Sequence, residues 1–249
     1  MPTRLKFIVA YDGAPFAGWQ SQLHGNTIQD QLERAFATVT REPTRVHGAG
    51  RTDAGVHALA QCAHIELPER TLTPEQWVAA LNTSLPAAIR VQRCQYMGPR
   101  FHARFSAKGK TYRYRIWNDR LLPPHEHGRA WWVADALDFD LLAREAQDFV
   151  GYHDFASFTA NRGTPNEDTF RTITAVKVTH RRRCVAVEVA GDGFLYKMVR
   201  LMVGALVRVG RKQDPVDAIS VRLQRSELIS SNARSVAPAG GLFLIRVRY

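Results

Sequence analysis

Cysteine is scarce in this chain: three in 249 residues, at Cys62, Cys94 and Cys184. They lie far apart, are odd in number and never form a Cys-x-x-Cys pair. That excludes a zinc ribbon and a disulfide framework, and it fits a reducing cytoplasm. The run His125-Glu126-His127 offers ligand-type side chains, but two histidines in a loop without a third ligand do not make a metal site. Long apolar runs are also missing. The longest, residues 198–209, is interrupted by Arg200 and Arg208, so no bilayer span is expected. The N-terminus carries Arg4 and Lys6 and passes directly into patterned sequence, without the cleavage region of a signal peptide.

Acidic side chains are in deficit. Asp plus Glu is 23 against 34 Lys plus Arg, a formal charge of +11. Such an excess points to a polyanionic partner, because Lys and Arg displace condensed counterions from phosphates. Hydrophobic residues make up 45%, enough for a substantial core and too many for global disorder.

Strand-like patterns cover residues 5–11, 44–48, 59–67 and 89–97. Between them, residues 26–41 repeat Ile28, Leu32, Ala35, Phe36 and Val39 at helical spacing, with Asn26 or Thr27 as the cap. Residues 73–84 form a second helix, capped by Thr73 with Pro74 at its first position. The order β-α-β-β-α-β is that of a ferredoxin-like unit. The second half gives a similar order: strand 110–118, helix 138–150 capped by Asp138, hairpin 170–180 and 184–190, apolar helix 195–209, short helix 215–223 and strand 241–249. The expected fold is α/β (α+β), two ferredoxin-like halves around a mostly antiparallel sheet, with domains at 1–105 and 106–249. No residue-by-residue repeat relates the halves.

The segment Gly48-Ala49-Gly50-Arg51-Thr52-Asp53-Ala54-Gly55-Val56-His57-Ala58 carries the most information. Glycine permits tight turns and close approach of a ligand. Arg51 and Asp53, two apart in an extended loop, can point the same way. An arginine beside a carboxylate favours its ionised form where desolvation would favour the acid, and a carboxylate nucleophile must be charged. The bland alternative is a surface turn with an ion pair. The segment lacks the Gly-Lys-Ser/Thr ending of a P-loop and the Gly-x-Gly-x-x-Gly spacing of a dinucleotide site.

Here the sequence resembles the TruA-type tRNA pseudouridine synthases. Gly-Arg-Thr-Asp-Ala-Gly-Val-His-Ala, residues 50–58, is similar to that family's signature. Tyr11-Asp12-Gly13-Ala14-Pro15-Phe16-Ala17-Gly18-Trp19-Gln20 and Thr27-Ile28-Gln29-Asp30 resemble its N-terminal segments. Phe101-His102-Ala103-Arg104 and Lys110-Thr111-Tyr112-Arg113-Tyr114 resemble its central motifs. Gly193-Phe194-Leu195-Tyr196-Lys197-Met198-Val199-Arg200 and Gly241-Leu242 resemble its C-terminal ones. The motifs run in order along nearly the whole chain. Residues 160–169 carry no matching pattern.

The resemblance implies an isomerase that converts uridine to pseudouridine in the tRNA anticodon stem-loop, near nucleotides 38–40. The base moves from an N1–C1′ to a C5–C1′ link without net redox change, so no cofactor is implied. Asp53 is the implied catalytic carboxylate, attacking the sugar or abstracting a sugar proton to give a glycal. Tyr112 is the implied active-site tyrosine, stacking on uracil or moving a proton at C5. Arg200 interrupts an apolar run, where a guanidinium either snorkels to solvent or pairs with a carboxylate inside; the resemblance favours pairing with Asp53. Arg51 is then an RNA contact that can also reach Asp53, and Leu242 or Leu244 the apolar wall of the uracil pocket. A homodimer is implied too, and the apolar excess of helix 195–209 argues for one.

For RNA grip the candidates are Arg100, Arg104, Lys108, Lys110, Arg113 and Arg115, which interleave with Phe101, Phe105, Tyr112 and Tyr114 so that charges take one sheet face and rings the other, and Arg181-Arg182-Arg183 at the hairpin tip. Two rivals remain at this stage. One is a non-catalytic protein that grips structured RNA. The other is an Asp-dependent hydrolase, which wants a second carboxylate near Asp53, with Asp12 and Asp192 as the available partners.

Overall fold

A computed structural model describes residues 3–23, 25–160, 168–224 and 236–249. Residues 161–167, within the stretch that lacks a motif, lie outside the described ones. The chain forms two compact units, residues 1–108 with 243–249, and residues 109–242. Both are mixed α/β, built on mostly antiparallel strands.

The first unit runs β1 (Thr3–Tyr11), α1 (Ile28–Thr40), β2 (His47–Gly48), β3 (His57–Leu67), α2 (Pro74–Ser84) and β4 (Ile89–Met97). β1 lies between β4 and β3, antiparallel to both, and β2 pairs with β3. This is the ferredoxin-like element order. Strand β10 (Leu242–Arg248) adds to it from the other end of the chain, with Phe243 and Leu244 parallel to His57 and Ala58.

Local chemistry sets both helix starts. Thr27 caps α1 and exchanges hydrogen bonds with Asp30; Thr73 does the same with Gln76 for α2, with Pro74 just inside. Each reciprocal pair satisfies two orphan backbone donors. Leu5, Phe7 and Val9 alternate onto the helix side of β1 and are fully buried. Phe36 of α1 packs between Phe7 (5.1 Å) and Trp77 of α2 (5.8 Å). On the opposite face Ala49, Cys62 and Ala103 make a smaller buried cluster, flanked by Ile8, Phe101, Val247 and Tyr249.

The second unit runs β5 (Gly109–Asn118), β6 (Trp131–Val133), α3 (Phe139–Glu145), β7 (Gly151–Asp154), β8 (Phe170–Arg181), β9 (Cys184–Gly191), α4 (Met198–Gly210) and α5 (Ala218–Leu223). β9 lies between β5 and β8, antiparallel to both; β7 pairs with β8, and β6 runs parallel to β5. Opposite residues on adjacent strands share a face. Tyr112, Tyr114 and Ile116 thus meet Val189, Val187 and Val185 on the buried side.

Three expectations change. The helix from Asp138 is α-helical only to Glu145 and tightens into a 3-10 turn at Ala146–Phe149. The apolar helix begins at Met198 because Lys197 adopts a left-handed φ of 58°. Finally, α4 is buried on almost every side within its own unit, where it packs against α3, α5 and β5. Its apolar excess is absorbed there and gives no argument for a dimer. Among the described residues no helix is long and apolar enough to cross a membrane.

Candidate active site

Asp53 sits in a loop whose backbone is fastened from several directions. Val56 N–H donates to the Asp53 carbonyl (3.1 Å), closing a turn, and Trp19 N–H donates to the Thr52 carbonyl (3.0 Å). The hydroxyls of Tyr11 and Thr52 lie 2.8 Å apart in the interior. Gln61 Nε2 donates to the Gly50 carbonyl (2.8 Å), and Ala49 N–H donates to the Cys62 carbonyl (2.8 Å). These bonds tie the loop to β1 and β3, which leaves the Asp53 side chain half-buried and Arg51 exposed.

Two glycines make this approach possible. Gly18 has a φ of 93°, and a Cβ there would stand 2.8 Å from the Thr52 carbonyl oxygen and 3.0 Å from Ala54 N. A Cβ on Gly13 would meet the Val56 carbonyl oxygen at 2.0 Å. The segment 11–20 is therefore the floor beneath Asp53. Gly18 and Trp19 carbonyls also accept from Ile28 and Gln29 at the start of α1, so floor, loop and helix form one piece. Past the loop, His57 is buried, accepts the Gly13 N–H at Nδ1 (3.1 Å), and stacks on Phe243 at 4.5 Å. None of these supports was assigned a role from sequence; the signal was the Tyr11–Gln20 motif itself.

The second unit holds Tyr112, Arg200 and Leu242. Tyr112 is 7% exposed, and Phe194 meets its ring edge-on at 5.0 Å. Two residues on, the Tyr196 carbonyl accepts from Ala160 N–H (3.1 Å). Tyr114, two residues along the same face, is fully buried and donates to the Pro238 carbonyl (2.7 Å). Burial pushes its phenol far above the ordinary value, partly opposed by the Arg200 charge. Arg200 lies in the first turn of α4. Its Nε donates to the Ala237 carbonyl (2.7 Å), and Ala237 N–H returns a bond to the Arg200 carbonyl (3.1 Å). Leu244 is fully buried in the first unit, whereas Leu242 is 7% exposed.

The basic candidates fall in both units. Arg100, Arg104 and Lys108 are exposed in the first; Lys110 is half-buried on β5. Arg181, Arg182 and Arg183 are exposed where β8 turns into β9, with Arg182 at a φ of 54°, and Arg183 pairs with Asp119 at 3.0 Å. Arg113 and Arg115 do lie on the face opposite the tyrosines, but Glu188 and Glu126 engage them, each at 2.7 Å. Glu126 thus serves an ion pair, and among the described residues no group of three or more His, Cys, Asp or Glu could hold a metal ion. The two carboxylates a hydrolase would recruit hold backbone donors: Asp12 accepts from Ala14 N–H and Asp192 from Thr172 N–H.

Comparison with known proteins bears on the chain as a whole. A sequence model described as tRNA pseudouridine synthase matches residues 7–106 and 146–249. The chain is 45% identical to the tRNA pseudouridine synthase A of Akkermansia muciniphila, over 99% of this chain and 95% of that one. It is 42% identical to that of Methylacidiphilum infernorum, over 98% and 94%, and 39% identical to that of Acetivibrio thermocellus, over 98% and 99%. A solved chain of a Cbf5-Nop10-Gar1 complex aligns with a TM-score of 0.38 at 14% identity, over 82% of this chain and 45% of that one; a likeness of that size adds nothing to the assignment. The family match and the near full-length relatives carry the conclusion: this chain belongs to the tRNA pseudouridine synthases.

Proposed function

We propose that this protein isomerises uridine to pseudouridine in the tRNA anticodon stem-loop, at nucleotides 38–40, as a homodimer. The observation that carries the reading at residue level is the fastened loop of residues 48–58, which holds the Asp53 carboxylate on a backbone anchored to β1, β3 and the Gly18 segment. A fixed carboxylate lowers the cost of orienting a reacting group.

The reaction breaks N1–C1′, turns the base, forms C5–C1′ and moves the C5 proton off the ring while N1 gains one. Asp53 either attacks C1′ or takes a sugar proton to give the glycal; each route needs it ionised. Tyr112 is the stacking and proton-transfer residue. In support, Tyr112 lies edge-on to Phe194 of the 193–200 motif. Arg200 is the guanidinium of the site, and Arg51 an RNA contact. Of the two leucines, Leu242 supplies the apolar wall, since Leu244 has no surface to offer. The target uridines lie in or beside a stem, so the base must be unstacked and flipped. Recognition rests on the shape and backbone of the arm, because A-form RNA hides its base edges. The homodimer and the choice of nucleotide rest on the family resemblance alone.

Incubation with unmodified bulk tRNA, followed by single-nucleotide mapping, tests the reading. New pseudouridines at 38–40 support it. Modification elsewhere removes the anticodon assignment, binding without modification leaves an RNA-binding protein, and release of free uracil favours a hydrolase.

A further inference from the structure

The connection between β4 and β5 ends in a turn, residues 102–106, that is held rigid yet holds out a bare aromatic ring. His102 Nδ1 accepts the N–H groups of Arg104 (3.1 Å) and Phe105 (3.3 Å). His102 N–H donates to Ser106 Oγ (3.0 Å), and Ser106 N–H returns to the His102 carbonyl (2.9 Å). From outside the turn, Ala103 N–H donates to His64 Nδ1 (3.2 Å), and the Tyr249 hydroxyl donates to the Ala103 carbonyl (2.8 Å). Both faces of the Ala103 peptide neighbourhood are thus bolted to the sheet.

What this turn displays is Phe105, 77% exposed. One side of its ring rests against the His102 imidazole, centroids 4.4 Å apart and planes 35° from parallel, and the Arg104 guanidinium lies 5.6 Å from the ring centre. A ring so placed contributes little to the core and offers its open face to solvent. Within five residues of it along the chain, Arg100, Arg104 and Lys108 are exposed, and none has a carboxylate ion-pair partner among the described residues.

We propose that Phe105, backed by His102 and flanked by Arg104, Arg100 and Lys108, is a stacking platform for an unpaired base of the RNA substrate, away from the base that reacts. A π-face stacks on any base, and the surrounding cations meet the phosphates on either side. The uncompensated positive charge selects a nucleic acid over a protein as the occupant. His64, against which the turn is bolted, stands seven residues along β3 from His57, roughly 20 Å from the end that follows the Asp53 loop. The platform therefore fixes where the RNA lies and takes no part in bond making. It rests on the tRNA reading above.

The test measures binding of unmodified tRNA by filter assay, with salt dependence, a thermal melt and sedimentation, for Phe105→Ala, Phe105→Trp and Arg104→Gln. Phe105→Ala should weaken binding roughly tenfold with its salt slope and melt unchanged. Phe105→Trp should restore affinity, and Arg104→Gln should reduce the salt slope by about one. Wild-type affinity in Phe105→Ala overturns the platform. So does a loss of affinity that accompanies a shift in sedimentation, since the ring then belongs to a protein interface. A wild-type protein that binds tRNA, weakens with Phe105→Ala and forms no pseudouridine overturns the isomerase reading and leaves the platform standing.

Discussion

The Tyr11 hydroxyl lies 2.8 Å from Thr52 Oγ1, and this bond joins the end of β1 to the residue immediately before Asp53. Tyr11 is 4% exposed, and burial raises its phenol well above the ordinary value, so it is a neutral hydroxyl in an apolar setting. Its removal in Tyr11→Phe leaves the Thr52 hydroxyl without that bond, at a cost of about 1 kcal/mol. The expected result is a small drop in melting temperature and a larger drop in single-turnover rate, because the loop loses an anchor one residue from Asp53. A melt lowered with the rate untouched would confine Tyr11 to folding.

Gly18→Ala is a harsher version of the same experiment. The positive φ alone costs roughly 1–3 kcal/mol, and the new Cβ presses on the Thr52 carbonyl and on the backbone of Asp53 and Ala54. Pseudouridine formation should fall by at least tenfold while tRNA affinity changes little, since the substitution touches none of the exposed cations. Equal losses of affinity and rate would place the damage elsewhere.

How much of this could be read beforehand divides along local and long-range lines. Helix starts are local events: Thr27 with Asp30, and Thr73 with Pro74 and Gln76, are visible within four residues. The end of α3 is not local. Buried Glu145 accepts the Asp217 N–H, 72 residues away, at the point where the helix tightens. Strands β6 and β7 are three and four residues long, too short to express a period. Periodicity also cannot say who covers an apolar helix; α4 looked destined for a second subunit, and its own unit covers it. In the site, the Asp53 motif was legible as a string of residues. Its supports, Tyr11 against Thr52 and Gly18 beneath Asp53, join segments more than thirty residues apart and only the fold reveals them.

Salt should weaken tRNA binding steeply. Arg100, Arg104, Lys108, Arg181 and Arg182 are exposed and lack carboxylate partners among the described residues, whereas Arg183, Arg113 and Arg115 are already engaged. If those five contact phosphates, the logarithm of affinity falls against that of salt with a slope of roughly −3 to −5. An isotherm series between low and moderate salt measures it, and a flat response would remove the polyanion argument.

Acid should destabilise the first unit through His64. Its imidazole is buried beside His102, His47 and Arg4, and burial first, then those charges, lower its pKa to about 4, against a weaker opposing pull from Glu66. The unfolded chain therefore binds a proton near pH 6.5 that the folded one refuses until about 4. Stability contributed by neutral His64 is complete above 6.5 and drains away as pH falls through that window, by at most about 3 kcal/mol. Denaturant titrations at several pH values should show this slope. His64→Asn keeps an acceptor for Ala103 N–H without a titrating ring, so it should flatten the slope whatever its baseline stability.

Asp53→Asn should abolish pseudouridine formation while tRNA affinity stays within a few-fold of wild type. The substitution preserves size and shape and removes the negative charge. An amide can neither attack C1′ nor take a sugar proton, so both candidate routes stop. Affinity persists because most of it comes from Lys and Arg contacts to phosphates, which the change leaves alone. The backbone bonds that fasten the loop, through the Asp53 and Thr52 carbonyls, and the bond of the Thr52 hydroxyl remain in the variant, so the melt should fall only modestly. Product formation under single-turnover conditions, a binding isotherm and a thermal melt separate the outcomes. Near-normal turnover by a folded variant would show that another group does the chemistry. Loss of turnover, binding and melt together would make Asp53 a structural residue, and the bland reading of the Arg-x-Asp loop would stand.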